Sequence, residues 1–230
     1  MSTSVEDVPQ SAPLPVRVRK VLGRVRRRFQ LDRFDVFART VPALEAFAPP
    51  EGYVYAWAVA GDIAGCEEHH TELDDRQRAE GEARLGLGHR AVLARDGAGA
   101  VVFTMWVNPR CLNIPGEVKR RLAPDQWFIY KAFTSPDHRG RKLYQAGMRF
   151  VLTEMAREGL RELVGYAHVK KKVSRKGLAA LDFEERGRYW ALSIPGLQRT
   201  LLSPRLRKCF PEAVPRTHAV AQVLAAPPPP

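Results

Sequence analysis

The sequence predicts an α/β fold in which helices flank a mixed central sheet. Segments with the apolar alternation of strands and segments with helical spacing follow one another in the order β, α, β, β, β, α, β, α, β. One strong apolar strand runs directly into a basic turn that opens a helix. The hydrophobic content of 45% over 230 residues is ordinary for a globular protein with a real core.

Composition excludes several protein classes. No run of eighteen apolar residues is present, so no transmembrane helix is expected, and the polar N-terminus carries no apolar signal core. The cysteines Cys66, Cys111 and Cys209 are odd in number and widely spaced, which indicates neither a disulfide framework nor a metal site. We therefore expect a cytoplasmic protein with reduced thiols and no metal.

The charge distribution is uneven along the chain. The net charge of +12 favours a polyanionic partner, which is a nucleotide cofactor, a nucleic acid or an anionic membrane. Residues 1–30 hold seven basic and two acidic residues, which gives +5, whereas residues 60–80 hold two basic and seven acidic residues, which gives −5. The asymmetry is more informative than the total.

The N-terminal region divides into two predicted segments. Residues 1–15 are rich in Ser and Pro and are predicted to be a disordered tail. Residues 16–30 predict a basic amphipathic helix. This helix could cap the domain, which we favour. Alternatively, residues 16–29 contact an anionic membrane at its inner face. Nucleic-acid binding is the least favoured option, because aromatic residues are scarce there.

The remaining elements belong to one predicted domain over residues 31–200. Residues 201–230 lose periodicity and end in four prolines, so we expect an extended, mobile Pro-rich tail there. The predicted elements are a strand at 31–40, a polar helix at 67–84, a hairpin of strands 89–95 and 100–107, a short helical piece at 117–122, a strand at 126–134, a helix from Arg141 with Gly147 on its buried face, a strand at 163–169, a helix at 172–181 and a strand at 186–194.

The basic turn at residues 133–149 is the strongest functional signal. A helix N-terminus exposes unpaired N–H groups and positive dipole, so it binds phosphate. Arg139, Arg141 and Lys142 add formal charge at the same point. The C-terminal end of a strand is also where α/β sheets generally bind ligands. A phosphate-containing ligand is therefore predicted at this turn.

The strand, turn and helix resemble those of the GCN5-related N-acetyltransferase (GNAT) superfamily, over about residues 31–195. In that superfamily a strand leads to Pro, then to Arg-Gly-x-Gly-x-Gly/Ala and a helix. Here Pro136 precedes Arg139-Gly140-Arg141-Lys142-Leu143-Tyr144. Lys142 and Tyr144 thus occupy two glycine positions. Backbone N–H groups survive such replacements, and Lys142 adds charge, whereas Tyr144 either crowds the cofactor or stacks beside it.

A second signature of the superfamily is Asn-x-x-Ala/Ser, followed after a helix by Gly-Phe. Ser174 and Phe183 keep this register, while Lys171 stands where Asn is usual and Asp182 where Gly is usual. The tyrosine that protonates the leaving thiolate in many members would fall at Leu178. The commonest general acid of the superfamily is therefore absent.

The resemblance implies a mixed, mostly antiparallel sheet that binds acetyl-CoA or another acyl-CoA as co-substrate. The backbone groups of Phe133 and Thr134 would face the pantetheine arm, and a nearby backbone N–H would polarise the thioester carbonyl. The cofactor-binding residues that it implies are Phe133, Thr134, Arg139, Gly140, Arg141, Lys142, Leu143, Tyr144 and Ser174.

Catalysis by direct amine attack requires a base, and the sequence offers three candidates. His168 ends the strand after the motif helix and titrates in the useful range, although a polar strand-end histidine is the simpler interpretation. Tyr130 reaches the cleft or packs in the core, and we favour packing. Glu68, in the polar cluster 67–70, could be a base or bind a cationic amine, although an exposed turn is the simpler interpretation.

The resemblance therefore predicts a GNAT-type acyltransferase that moves an acetyl or other acyl group from acyl-CoA to a small-molecule or other amine acceptor. A non-catalytic acyl-CoA-binding regulatory module is the first alternative. A charge-driven nucleic-acid-binding protein is the second and requires binding that weakens steeply with salt.

Overall fold

Strands dominate the structure, a computed structural model that describes residues 30–43, 46–63, 75–114, 118–194 and 197–214. The main sheet has eight strands, and a smaller sheet has three. The strands of the main sheet are β1 (Gln30–Thr40), β2 (Val54–Trp57), β3 (Arg90–Arg95), β4 (Val101–Asn108), β7 (Gln126–Thr134), β8 (Glu162–His168), β9 (Glu184–Ile194) and β10 (Leu197–Leu202), and those of the smaller sheet are β5 (Cys111–Ile114), β6 (Val118–Arg121) and β11 (Ala213–Val214).

Four α-helices lie within the described ranges. They are α1 (Asp75–Gly86), α2 (Leu143–Arg157), α3 (Lys172–Ala179) and α4 (Pro204–Cys209), and one 3₁₀ turn spans Pro136–His138. None of the described helices is long and apolar enough to span a membrane.

The main sheet is mixed and mostly antiparallel, with the order β10-β9-β1-β8-β7-β4-β3-β2. Among the described strands, only β7 and β8 pair in parallel, and they do so over three residue pairs, from Gln126–Glu162 to Phe128–Val164. Both strands continue beyond these pairs without further pairing to one another, so they diverge toward their C-terminal ends. The sheet is therefore open between β7 and β8.

One face of the sheet packs against α2. The helix buries the apolar side chains that fall at helical spacing, including Leu143, Phe150 and Val151. Each such burial stabilises the fold by about 1.5–3 kcal/mol. Gly147 lies where α2 approaches β4, because a Cβ there would be only 2.5 Å from the Phe103 ring. The predicted buried face of this helix is confirmed.

The opposite face of the sheet holds an aromatic core. Phe34 of β1 stacks on Tyr189 of β9, with ring centroids 4.8 Å apart. Leu206 and Phe210 from the α4 region pack into this core, and the Ser203 hydroxyl accepts a hydrogen bond from the Leu206 N–H at the start of α4. The smaller sheet contributes Leu112 from the same side.

Two predictions about local structure are wrong. The helical piece expected at 117–122 is not formed, because Val118–Arg121 is strand β6, which pairs with β5 and β11. Long-range pairing has overridden local helix propensity there. Likewise, the extended tail expected from residue 201 is not formed over residues 201–214. Residues 201 and 202 complete β10, and α4 and β11 follow, since Leu206 and Phe210 gain burial in the aromatic core.

Other predictions fall outside the described ranges. These are the tail at 1–15, the amphipathic helix at 16–30 except Gln30, which begins β1, the cluster 67–70 with Glu68, and residues 215–230. The charged helix expected at 67–84 is described only as Asp75–Gly86.

Candidate functional site

The opening between β7 and β8 is shaped by a bulge in β7. The register of β7 against β4 shifts between Tyr130 and Phe133, and Lys131 adopts a positive φ of 48° within the shift. A bulge bends its strand and re-aims the side chains around it. Two cavities lie along the divergent strands, one of about 770 Å³ and one of about 360 Å³. They share Ala132, Tyr144 and Ser174 as lining residues.

The basic turn between β7 and α2 exposes the helix N-terminus. Gly140 and Lys142 have φ values of 79° and 59°, so two left-handed residues reverse the chain before Leu143 begins the helix. Lys142 thus adopts a left-handed backbone conformation, which glycine accepts more readily than a residue with a Cβ. Its side chain makes no capping hydrogen bond, and the first turn of α2 contains no acidic residue. The positive end of the helix dipole therefore faces the larger cavity without a competing carboxylate from its own first turn.

The three cations of the turn have different positions. Arg139 and Lys142 line the larger cavity, and the Arg139 Nε also donates to the Thr134 carbonyl at 3.2 Å. Arg141 instead donates from Nη1 to the Tyr53 hydroxyl at 2.9 Å and does not line the cavity. Arg139 and Lys142 can thus contact a ligand in this cavity, whereas Arg141 holds the turn against Tyr53.

A chain of polar contacts anchors the turn to the neighbouring strands. The Tyr53 hydroxyl lies 2.9 Å from the His138 Nδ1, and the His138 Nε2 lies 3.8 Å from an Asp96 carboxylate oxygen. Tyr53 precedes β2, and Asp96 follows β3. Sequence reasoning missed this anchor, because its members are far apart along the chain and have no motif spacing.

The larger cavity brings together eight of the nine residues predicted to bind the cofactor, and only Arg141 lies elsewhere. Val173, Lys176 and Gly177 of α3 complete one of its walls. Cationic side chains, an open helix N-terminus and backbone at a strand end are groups that suit a diphosphate. The eight residues are Phe133, Thr134, Arg139, Gly140, Lys142, Leu143, Tyr144 and Ser174.

Tyr144 lies at the junction of the two cavities. Its ring packs against α3, because a Cβ added to Gly177 would be 3.2 Å from the Tyr144 Cε1. Burial raises the pKa of the Tyr144 phenol to about 12, so it is protonated at neutral pH. Tyr144 therefore packs between α2 and α3 and lines both cavities.

Helix α3, which carries Lys171 at its N-cap and Ser174 in its first turn, is joined to the sheet by an ion pair. Arg175 Nη2 lies 3.2 Å from the Asp35 carboxylate, which is only 2% exposed, whereas the Arg175 side chain is 39% exposed. Removal of Arg175 would leave a buried carboxylate short of a partner, which is unfavourable. The position of α3 against β1 is therefore well defined.

His168, a predicted catalytic base, lines the smaller cavity with both ring nitrogens engaged. Its Nδ1 accepts a hydrogen bond from the Lys170 N–H at 3.0 Å, and its Nε2 lies 3.0 Å from the Asp32 carboxylate. The Phe34 ring packs edge-on against it at 4.9 Å. To accept a proton at Nδ1, the imidazole would first have to release the Lys170 amide.

Tyr130 also lines the smaller cavity, and it contacts a half-buried histidine, His89, that sequence analysis did not identify as a site residue. The Tyr130 hydroxyl lies 2.5 Å from the His89 Nδ1. Burial, together with the positive charges of Arg84, Lys119 and Arg110, lowers the pKa of His89 to about 4. Burial likewise raises the pKa of the Tyr130 phenol. Both groups are therefore neutral at pH 7.

Leu178 and Asp182, the two remaining positions of the second signature, differ in side chain from the superfamily pattern and have the following surroundings. Leu178 is buried and lines the smaller cavity, so hydrocarbon occupies the place of the usual tyrosine. Asp182 has a φ of 55°, the conformation that glycine would supply. Within the described ranges, no group of three metal-ligand side chains could hold a metal ion.

Comparison with solved structures concerns the fold. A Drosophila protein is 12% identical, with a TM-score of 0.51 over 77% of this chain and 56% of that one. A functionally unknown conserved protein from Staphylococcus epidermidis is 10% identical, with a TM-score of 0.50 over 81% and 70%. A GCN5-related N-acetyltransferase from Sphaerobacter thermophilus is 15% identical, with a TM-score of 0.49 over 80% and 56%.

The chain shares its fold with the Staphylococcus epidermidis and Drosophila proteins. The predicted mixed, mostly antiparallel sheet flanked by helices is confirmed by the strand order of the main sheet. The chain spans little more than half the length of the Drosophila and Sphaerobacter proteins. It matches no protein-family model and no curated protein. At identities this low, the likeness to these structures is one of fold alone.

Proposed function

We propose that this protein is a GNAT-type acyltransferase that moves an acetyl or other acyl group from acyl-CoA to an amine acceptor by direct attack. The observation that carries the proposal is the meeting of two cavities at Ala132, Tyr144 and Ser174, where β7 and β8 diverge. The larger cavity contains the basic turn and the open N-terminus of α2, and the smaller cavity is lined by residues of both β7 and β8. We call them the cofactor cavity and the acceptor cavity.

The cofactor cavity would hold the phosphate-bearing part of acyl-CoA. Arg139 and Lys142 supply charge, and the N–H groups at the start of α2 supply hydrogen bonds. Phe133 and Thr134 end β7 at the same cavity, so their backbone would run beside the pantetheine arm. The thioester would then lie near the junction of the two cavities.

The reaction would be a direct aminolysis of the thioester. The amine nitrogen attacks the carbonyl carbon, the carbon–sulfur bond breaks, the amine loses a proton to water or a base, and the sulfur leaves as a thiolate that takes up a proton. The Tyr144 phenol, protonated at neutral pH and lining both cavities, is the proposed donor to that sulfur. His168 lines the acceptor cavity and remains the candidate base, whereas Tyr130, a neutral phenol, would only relay the proton through its hydroxyl to the His89 Nδ1.

A non-catalytic acyl-CoA-binding module is the second candidate, and a specific observation favours it. Leu178 replaces the usual tyrosine, and both nitrogens of His168 are engaged in hydrogen bonds. Release of free thiol in the presence of an amine panel separates the two candidates, since the module would bind acyl-CoA without turnover. The predicted cytoplasmic location, membrane contact of residues 16–29 and role of Glu68 remain proposals.

The first experiment reverses the charge of the turn. Acetyl-CoA binding is measured by titration calorimetry for the natural chain and for Arg139→Glu with Lys142→Glu. We expect at least about a 100-fold loss of affinity, because two charge-assisted contacts become repulsive. The matched control is Arg205→Glu with Lys208→Glu on α4, which makes the same change of charge at exposed residues outside both cavities. Circular dichroism checks that both variants fold.

Equal affinity in the turn variant and the control would refute the assignment of the cofactor cavity. An equal loss in both would mean that overall charge, and not this turn, drives the binding. Only a loss confined to the turn variant supports the proposal.

A further inference from the structure

The end of the main sheet formed by β1, β9 and β10 has an apolar side that the described helices leave exposed. The register of these strands puts eight side chains on that side, and six of them are apolar. Leu31, Leu197 and Leu201 are 63%, 39% and 58% exposed. We call this surface the open face, and its residues are Leu31, Arg33, Trp190, Leu192, Ile194, Leu197, Arg199 and Leu201.

The opposite side of the same strands is covered. Tyr189 and Leu202 alternate along β9 and β10 with residues of the open face, and they are buried with Leu206 of α4 in the aromatic core. An antiparallel sheet with one side in water normally carries polar residues on that side. A side that is both apolar and exposed indicates instead that another group packs on it.

The open face lies beside α3 and has the width of one helix. Arg175 of α3 meets Asp35 of β1, two positions along the strand from Arg33 and on the same side of it. From β1 the sheet continues through β9 to β10, its edge strand. With neighbouring strands about 4.8 Å apart, the open face is about 10 Å wide, which is close to the diameter of a helix.

The chain itself supplies a segment that fits this surface. Residues 16–29 end directly before Gln30, the first residue of β1, and Leu31 already belongs to the open face. Sequence analysis predicts an amphipathic helix there, which would be about 21 Å long. Its apolar residues at helical spacing are Val18, Val21, Leu22, Val25 and Phe29.

Attachment to β1 favours this segment over a separate partner. A tethered segment meets the open face at an effective concentration in the millimolar range, whereas a second copy of the chain must associate from dilute solution. A helix of this length is marginal alone in water and gains most of its stability by packing its apolar side. The apolar stripe of residues 16–29 and the open face are therefore complementary surfaces.

We propose that residues 16–29 form a helix that packs its apolar side on the open face, next to α3. The packed helix removes Leu31, Leu197 and Leu201 from water and completes the layer of helices on this side of the sheet. Its arginines and its lysine point away from the sheet, because they alternate with the apolar stripe.

Hydrogen exchange of the full chain, followed by mass spectrometry, tests the proposal. We expect peptides within residues 16–29 to exchange at least about tenfold more slowly than an unstructured chain, at every protein concentration. Leu201→Asp places a charge in the open face and should return this exchange to near the unstructured rate.

The matched control is Val54→Asp on β2, at the other edge of the sheet. It makes the same kind of change at an apolar residue that is 65% exposed, and it should alter exchange in residues 16–29 by less than about twofold. Unchanged protection of β4 in both variants shows that they fold.

A change in the segment supplies the reciprocal measurement. Leu22→Asp should speed exchange in β10 by at least about threefold, since the open face loses its cover. Arg24→Asp alters the charge by more but lies on the opposite side of the predicted helix, so it should leave β10 within about twofold of the natural chain.

Other occupants of the open face would give different results. If residues 16–29 exchange at the unstructured rate in the natural chain, the proposal is overturned. Loss of a dimer in Leu201→Asp, measured by sedimentation, would then assign the open face to a second copy, and loss of binding to vesicles of phosphatidylcholine and phosphatidylserine would assign it to a membrane. Protection of residues 16–29 that survives Leu201→Asp would also overturn the proposal, because the segment would then pack elsewhere.

Discussion

The cofactor cavity and the acceptor cavity are built in different ways. Phe133 to Gln145, one continuous strand–turn–helix segment, supplies most of the cofactor cavity, and α3 closes it. The acceptor cavity draws Phe34 from β1, Tyr130 from β7 and His168 from β8. The first depends on the local conformation of one segment, whereas the second exists only once distant strands have paired.

Their polar groups differ as well. The cofactor cavity presents Arg139, Lys142 and an uncapped helix N-terminus toward a ligand. In the acceptor cavity, His168 and Tyr130 already bond to protein partners, to Lys170 and Asp32 in one case and to His89 in the other. One cavity is thus arranged for binding an anion by direct contact, while the reactive groups of the other are held in place by their neighbours.

Tyr144 joins the two cavities, and its removal should have the largest effect on the folded state. Tyr144→Ala deletes a mostly buried ring that packs between α2 and α3 at Gly177. We expect the free energy of unfolding to fall by about 2–4 kcal/mol, since a cavity replaces the ring. Urea denaturation measures this loss.

Tyr144→Phe is the matched control for that change. It keeps the ring and should retain stability within about 1 kcal/mol, while slowing acyl transfer if the hydroxyl donates to the leaving sulfur. An unchanged unfolding free energy for Tyr144→Ala would mean that the ring does not form the wall between the helices.

The contrast between local segments and long-range pairing also explains which elements could be predicted from the sequence. The motif at Arg139–Tyr144 and the apolar face of the helix after it both depend only on residues close together in the chain. The predicted turn and α2 therefore agree with the structure. The pairing of β6 with β5 and β11 is long-range, so local propensity predicted a helix at 117–122 instead. Burial against Tyr189 and Leu202, likewise invisible locally, orders Leu206 and Phe210 within the expected tail.

Individual site residues divide in the same way. Sequence register located Lys142 and Asp182 at glycine positions, and both still adopt left-handed backbone conformations. By contrast, no spacing rule joins Tyr53 to Arg141 or His89 to Tyr130. Such contacts depend on the sheet order and could not be derived from the residues alone.

His89, which contacts Tyr130 behind the acceptor cavity, should make the stability of the protein depend on pH, with an effect of intermediate size. Its pKa of about 4 in the folded state lies below the ordinary value of 6.5, chiefly because of burial. The unfolded chain therefore binds the proton more readily, and stability falls as the pH drops from about 6.5 to about 4. After allowance for the remaining solvent exposure, we expect a loss of about 1–2 kcal/mol from this group.

His89→Gln should remove that component. The difference in unfolding free energy between the natural chain and the variant should become smaller as the pH is lowered across this range, because the carboxylates are common to both proteins. Tyr130→Phe should keep the pH dependence, since burial and not the Tyr130 hydroxyl is the main cause. A pH-independent difference for His89→Gln would show that the imidazole is not held neutral.

Lys142 gives the smallest effect on stability and separates backbone from charge in the cofactor cavity. Its φ of 59° is unfavourable for a residue with a Cβ, so Lys142→Gly should raise the free energy of unfolding by about 0.5–1 kcal/mol. The same change removes a cation from the cavity and should weaken acetyl-CoA binding several-fold. Lys142→Gln keeps the strained backbone and removes only the charge, so it should weaken binding without gaining stability. If Lys142→Gly instead bound acetyl-CoA more tightly, close approach of the backbone would matter more than charge, and the lysine would be an obstacle in a site that the superfamily pattern fills with glycine.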